Sequence, residues 1–298
     1  YTNGMKISWI SRDLSNYRDI VTCPSLNQLI EKLPFINDPE EQRNVSVSLV
    51  QNIYTPEDKN RTDLILDDRP YAGISYLAFG LHSKNQHRMD TLEVDIGLVG
   101  RHSYAEDIQM QVHKWTDSAY PSGWEHQLHD EPILNLYVER KWRLFQTGNR
   151  QGFGLDFIPH IGLAVGNAYT AANAGGQFRL GWNIPNDFGT FLIRPGSDSS
   201  APIDDTDPRF FKSFHCLGIH AFFAVNGNLI LRNILLDGNT LRDSHSVDKE
   251  PLVANLICGI GMIIYRMKIT FSYVQQTREF ETQKEAQNFS AIAASFTF

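Results

Sequence analysis

The feature that most constrains this chain is a two-residue alternation of apolar and polar side chains. Within residues 91–99, for example, Leu92, Val94, Ile96 and Leu98 are separated by polar residues or glycine. About ten further segments show the same period, and Asn, Gly and Pro clusters separate them. A β-strand with two unlike faces produces this pattern. The sequence therefore predicts an all-β fold of about eleven strands, in a single domain that spans residues 1–298.

The alternation does not say which face meets water, and two architectures compete. A soluble sandwich turns its apolar face inward, whereas a transmembrane antiparallel β-barrel turns it outward to lipid. Long polar loops alternate with tight turns, and the chain ends on an alternating segment whose last residue is Phe298. Both features favour the barrel, as do the aromatic residues near segment ends: Tyr71, Tyr76, Trp142, Trp182, Tyr265 and Tyr273.

Composition narrows the function classes. The formal net charge is −7, so the chain has no general nucleic-acid signature and nucleic acid is not an expected partner. No segment reaches the roughly 18 consecutive apolar residues of a membrane-spanning helix. The loop of residues 185–209, which carries several aspartates, is expected to be a solvated tip and not a metal site.

One helix interrupts the strands, at about residues 104–117. Ser103 and Glu106 have the spacing of a capping box, which marks a helix start. Apolar residues then recur at helical spacing and predict one buried stripe: Ala105, Ile108, Val112 and Trp115. His113 lies at the edge of that stripe. A histidine on a short helix between two strands is the feature on which we expect the function to depend.

Several short motifs, in order along nearly the whole chain, resemble the outer-membrane lipid A 3′-O-deacylase family. They are Tyr1-Thr2-Asn3-Gly4, Ile53-Tyr54-Thr55-Pro56, Asp68-Arg69-Pro70-Tyr71-Ala72-Gly73, Asp95-Ile96-Gly97-Leu98-Val99-Gly100, Gln111-Val112-His113, Gly123-Trp124 through Asp130-Glu131-Pro132, and Asn233 to Asn239. Each motif is weak alone, but the ordered set is specific.

The resemblance implies a bacterial outer-membrane barrel of about twelve strands, with the helix in an extracellular loop. The family carries an Asn-Asp pair on a strand before the Tyr1-Thr2 motif, so we expect the family's first strand to be missing from the chain as given. The implied partners are lipid A, as part of lipopolysaccharide, and the lipids of the outer membrane. We expect the protein to act as a monomer.

The resemblance also implies the chemistry: a calcium ion polarises an ester carbonyl of lipid A, and a histidine activates water. His113 matches that histidine, and Thr2 matches a further active-site position. Asp117 is the nearest candidate for an acidic calcium ligand, although its spacing from His113 departs from the family pattern. No Gly-x-Ser-x-Gly elbow is present, which favours attack by water over an acyl-enzyme.

Three basic residues are candidates for binding the phosphate groups of lipid A: Arg69, Arg61 and Lys59. Guanidinium binds phosphate well through two parallel hydrogen bonds, but Arg69 could equally be a structural partner of Asp67 or Asp68. Two other functions remain open: a non-enzymatic outer-membrane pore or structural barrel, and a soluble β-sandwich binding module.

Overall fold

The computed structural model describes residues 3–38, 40–148, 152–189, 201–210 and 217–298, and β-strands dominate it. The strands are β1 (Asn3–Ile10), β2 (Gln42–Tyr54), β3 (Ala72–Lys84), β4 (Arg88–Val99), β5 (Glu131–Trp142), β6 (Phe145–Gly148), β7 (Phe153–Gly166), β8 (Tyr169–Trp182), β9 (Gly218–Asn233), β10 (Leu252–Ile264), β11 (Met267–Gln276) and β12 (Gln287–Phe296). All are joined in one antiparallel sheet, which confirms the predicted fold class.

Eleven of these strands follow one another in chain order across the sheet, and β6 pairs only with β7. The four residues of β6 pair with the same edge of β7 as β5 does. Arg143 and Leu144 separate β5 from β6. This is why the alternation predicted eleven strands where the structure has twelve: β6 is too short to show a period.

The sheet curls so that a loop near its first strand meets the loop between its last two strands. Arg69, in the loop between β2 and β3, forms an ion pair with Glu279, in the loop between β11 and β12. At the opposite end, Lys84 Nζ donates to the carbonyl of Pro202, which precedes β9. Contacts across more than 100 residues at both ends give the sheet the curvature of a barrel wall.

The two faces of the curled sheet differ as a membrane barrel requires. One outward row crosses five neighbouring strands through paired residues: Ile7, Leu49, Leu77, Ile96 and Leu134. Each of these side chains is exposed. The inward positions of the same strands carry polar groups such as Ser48 and Asp95, which are buried. Apolar outside and polar inside is the arrangement of an outer-membrane barrel.

Buried ion pairs fill the interior at one end of the barrel. Arg179 on β8 donates to Asp156 on β7 and to Asp187, and Lys268 on β11 donates to Asp187 at 2.6 Å. Arg209 also donates to Asp187, at 3.1 Å. Burial alone would raise the pKa of Asp187, but the surrounding cations Lys268, Arg179 and Arg209 hold it well below its usual value.

The expectation of a solvated tip at residues 185–209 was therefore wrong for the described parts, residues 185–189 and 201–209. Asp187, Asp207 and Arg209 are almost completely buried, because these parts of the loop join the ion network inside the barrel. The run of aspartates predicted a solvated loop because the sequence does not show which cations from other strands pair with them.

The described residues form three α-helices, which lie outside the sheet: α1 (Pro24–Glu31), α2 (Ala105–Thr116) and α3 (Ile234–Asp237). The short helix α1 was predicted as part of a loop. It has proline at its first turn, and Ile30 packs with Leu14, Tyr17 and Val45 against the start of β2. Helix α2 confirms the predicted helix at about residues 104–117, and we call the end of the barrel that carries it the helix end.

Candidate active site

Helix α2 packs on the outer face of the barrel wall, not over the lumen. The Gln51 and Ser75 side chains point outward from paired positions of β2 and β3, and both donate to the carbonyl of Ser103, at 2.8 Å and 2.9 Å. At Gly73 an added Cβ would lie 2.1 Å from the Ala105 Cβ, so only glycine lets the helix approach this closely. Helix α2 thus covers polar wall positions that would otherwise face lipid.

A small buried cluster fixes α2 in place. Ala105 packs with Ile53, Tyr71 and Trp124, and the rings of Tyr71 and Trp124 lie 5.1 Å apart. The Trp124 indole donates to Gln109 Oε1 at 2.9 Å. The segment that follows the helix therefore turns back under it. The Gly123-Trp124 motif was part of the family resemblance, but no sequence period revealed this packing role.

The predicted details of the helix start and of its apolar stripe were wrong. Tyr104 is the N-terminal cap, in the left-handed region with φ 57°, and no side chain caps the helix. The Ser103 hydroxyl donates to the carbonyl of Gly100 and does not accept from a helix N–H. Ala105 is buried, but Ile108 and Trp115 are 37 % and 76 % exposed. The wall contacts only a narrow strip of the helix, because the close approach between wall and helix occurs at Gly73.

His113 lies in the last turn of α2, and its ring orientation is fixed. Its Nδ1 lies 2.6 Å from the carbonyl oxygen of Ala119. A carbonyl oxygen can only accept, so Nδ1 donates this hydrogen bond, and in the neutral ring the lone pair then lies on Nε2. Neutral imidazole with a free lone pair on one nitrogen is the form that a general base requires. The orienting group is thus a backbone carbonyl and not a side chain.

Asp117 ends the helix in the left-handed region, with φ 51°, and its side chain is exposed. Among the described residues, no group of three or more His, Cys, Asp or Glu side chains is arranged to hold a metal ion. The described residues alone therefore supply no cluster of acidic side chains for a calcium ion. Thr2, the other expected active-site residue, lies outside the described residues.

The three expected phosphate-binding residues have different surroundings. Arg69 is 5 % exposed and pairs with Glu279, so it holds two loops together and does not pair with the Asp67 or Asp68 side chain through its guanidinium. Arg61 is exposed and pairs with Asp63. The Lys59 backbone carbonyl accepts from the Ser122 N–H at 2.8 Å, which ties the β2–β3 loop to the segment after α2. All three residues lie in the loop between β2 and β3, and of the three only Arg69 is buried.

A polar cleft of about 400 Å³ lies beside the first turn of α2. Its lining includes Arg101, Arg242, Glu106 and Asp130. Burial alone would raise the pKa of Asp130, but hydrogen bonds from the backbone and the ring of His102 lower it. The charged cleft thus lies at the first turn of α2, and His113 lies in its last turn.

Comparison with known proteins identifies the family. The family model described as "Outer membrane protein LpxR" matches residues 1–298. The chain belongs to the LpxR outer-membrane protein family. The fold agrees with the structure described as LpxR from Salmonella typhimurium, with a TM-score of 0.72 and 18 % sequence identity over 99 % of this chain and 100 % of that one. No curated protein matches the chain by sequence.

Membership in the LpxR family confirms the predicted location in the outer membrane and the barrel architecture. The described residues contain no helix that is long and apolar enough to cross a membrane. The barrel architecture and the outer-membrane family exclude the soluble β-sandwich alternative.

Proposed function

We propose that this protein hydrolyses an acyl ester of lipid A at the outer surface of the outer membrane, with His113 as the general base that activates water. The observation that carries the proposal is the position of α2 on the outer face of the wall, fixed by the Ser103 and Ala105 contacts. A membrane lipid can reach a site there by lateral diffusion, without entering the lumen.

The arrangement suits an amphiphilic ester. The polar cleft at Arg101 and Arg242 offers guanidinium groups to a phosphorylated headgroup, and Arg61 and Lys59 lie on the neighbouring loop. The exposed wall row below α2 is apolar and suits acyl chains. His113 Nε2 would accept a proton from water as the water attacks the ester carbonyl, while the Ala119 carbonyl holds the ring in place.

Substitution of His113 tests the general base. His113→Ala should reduce lipid A deacylation about 10²- to 10⁴-fold, the usual cost of removing a positioned base. The assay is mass spectrometry of lipid A incubated with the purified barrel, after a gel has shown that unboiled and boiled samples migrate differently. His87→Ala, an exposed histidine in the turn between β3 and β4, is the matched control and should keep full activity. A parental rate in folded His113→Ala would remove the histidine from the mechanism.

Calcium dependence is a separate proposal that rests on the family resemblance. Calcium is a hard cation with oxygen ligands and, when bound, can polarise a carbonyl. Chelation of purified protein in detergent should abolish hydrolysis, and calcium but not zinc should restore it. Asp117→Asn should raise the calcium concentration required, whereas Asp107→Asn, exposed at the start of the same helix, should not. Full activity in excess chelator would contradict the calcium proposal and leave the role of His113 intact.

A further inference from the structure

Helix α2 has an exposed apolar side that no described residue of the chain covers. At 100° per residue, Ile108 and Trp115 fall within about 20° of each other around the helix axis, and Tyr104 caps the start of the helix. The exposed fractions are 37 % for Ile108, 76 % for Trp115 and 61 % for Tyr104. We call these three side chains the α2 stripe. Three large apolar or aromatic side chains exposed at the start and on one side of the helix form a surface that water solvates poorly.

The α2 stripe is distinct from the two other sides of the helix. The wall side carries Ala105 and Gln109, which are both buried. The side that faces away from the wall, about 90° around the helix axis from the stripe, carries Asp107 and Lys114, which are both exposed. A helix with one side on protein, one apolar side exposed and one charged side exposed has the composition of a helix that lies at a boundary between water and lipid.

The α2 stripe is continuous with the lipid-facing wall. The wall residues beneath the helix, Gln51 and Ser75, lie two residues along their strands from Leu49 and Leu77 of the apolar outward row. Two strand residues span about 7 Å. A helix with a diameter of about 10 Å, packed on this part of the wall, therefore reaches the level at which the barrel meets acyl chains.

We propose that the α2 stripe is inserted among the acyl chains of the surrounding membrane lipids, so that α2 lies in the lipid interface with its charged side toward water. The left-handed backbone of Tyr104 supports this arrangement, because it turns an exposed aromatic side chain outward at the helix start. Tyrosine and tryptophan are the residues that favour the interface between lipid and water. The inference goes beyond the proposed reaction and does not depend on it.

Site-directed spin labels test the position of the stripe. Nitroxides are attached at Ile108→Cys and, as the matched control, at Lys114→Cys, in a chain whose Cys23, Cys216 and Cys258 are replaced by serine. Each variant is refolded into phosphatidylcholine vesicles, and different migration of unboiled and boiled samples establishes folding. Collisions with oxygen should dominate at position 108, because oxygen concentrates among acyl chains. Collisions with a water-soluble nickel complex should dominate at position 114.

Two results would overturn the proposal. Predominant nickel access at position 108 would place the stripe in water. Dipolar broadening at position 108 that disappears on dilution with unlabelled protein would assign the stripe to a second copy of the chain. A measurement without spin labels tests the proposal if the cysteine variants do not fold. The emission lost on Trp115→Phe substitution should be quenched by lipids brominated on the acyl chain, and an unquenched contribution would count against the proposal.

Discussion

At the scale of single residues, the site depends on contacts that place His113, more than on unusual chemistry. The hydrogen bond from Nδ1 to the Ala119 carbonyl fixes the tautomer, and Trp124 holds Gln109 on the turn before the histidine. The sequence identified His113 through the family motif, but it could not identify the carbonyl. A backbone acceptor six residues away carries no side-chain signature, and only the left-handed turn at Asp117 brings it to the ring.

Gly73 offers a sharp test of that placement. Gly73→Ala would place a methyl group 2.1 Å from the Ala105 Cβ and 2.3 Å from Ser103 Oγ, so the helix must move away from the wall. We expect the barrel to fold and lipid A deacylation to fall at least tenfold, since small displacements of positioned groups cost about 10²-fold. The control is Gly227→Ala, where the added methyl meets only an ordinary contact at 3.8 Å. Equal activity of the two variants would show that α2 need not lie against the wall.

At the scale of elements, the strands were predictable and the loops were not. Alternation located β2, β3 and β4 because each has one polar and one apolar face along more than ten residues. The capping box at Ser103 does not form, because the Ser103 hydroxyl donates to the Gly100 carbonyl while the Ser75 and Gln51 side chains donate to the Ser103 carbonyl. The loop containing Asp187 was predicted as solvated because its partners, Arg179 and Lys268, come from distant strands.

Asp187 is the residue through which that loop is held in the barrel. Its carboxylate accepts from Arg179, Arg209 and Lys268, so Asp187→Asn would leave buried cations without a full counter-charge. Breaking a buried ion network in this way costs about 3–5 kcal/mol. The temperature at which the unboiled gel form disappears should fall clearly for Asp187→Asn and stay unchanged for Asp205→Asn, an exposed neighbour. An unchanged transition for Asp187→Asn would mean that the network contributes nothing to the stability of the barrel.

At the scale of the whole molecule, the sequence predicted the outer-membrane barrel because an apolar face outside and a polar face inside is a property of every strand. It could not predict whether the lumen is open, since lumen-facing charges occur both in channels and in filled barrels. In the described structure, Arg179, Asp156, Asp187 and Lys268 are buried together inside the wall. The folded-back loop at residues 201–210 packs against the same end, through contacts such as Lys84 to Pro202.

The buried ion network leads to a prediction that separates an enzyme from a pore. Asp187 binds cations from β8, β11 and the loop, so these elements meet at the end opposite α2, and we expect them to close the lumen there. We expect the purified protein in planar lipid bilayers to show no steady channel conductance at moderate voltage. Asp187→Asn, which loosens the same loop, should show more frequent transient openings than Asp205→Asn, because the loop carries the closure. Large, long-lived conductance steps from the unaltered protein would contradict the closed lumen and favour the pore. If the barrel deacylates lipid A without conducting ions, the reaction takes place at the outer face of the wall, where α2 holds His113.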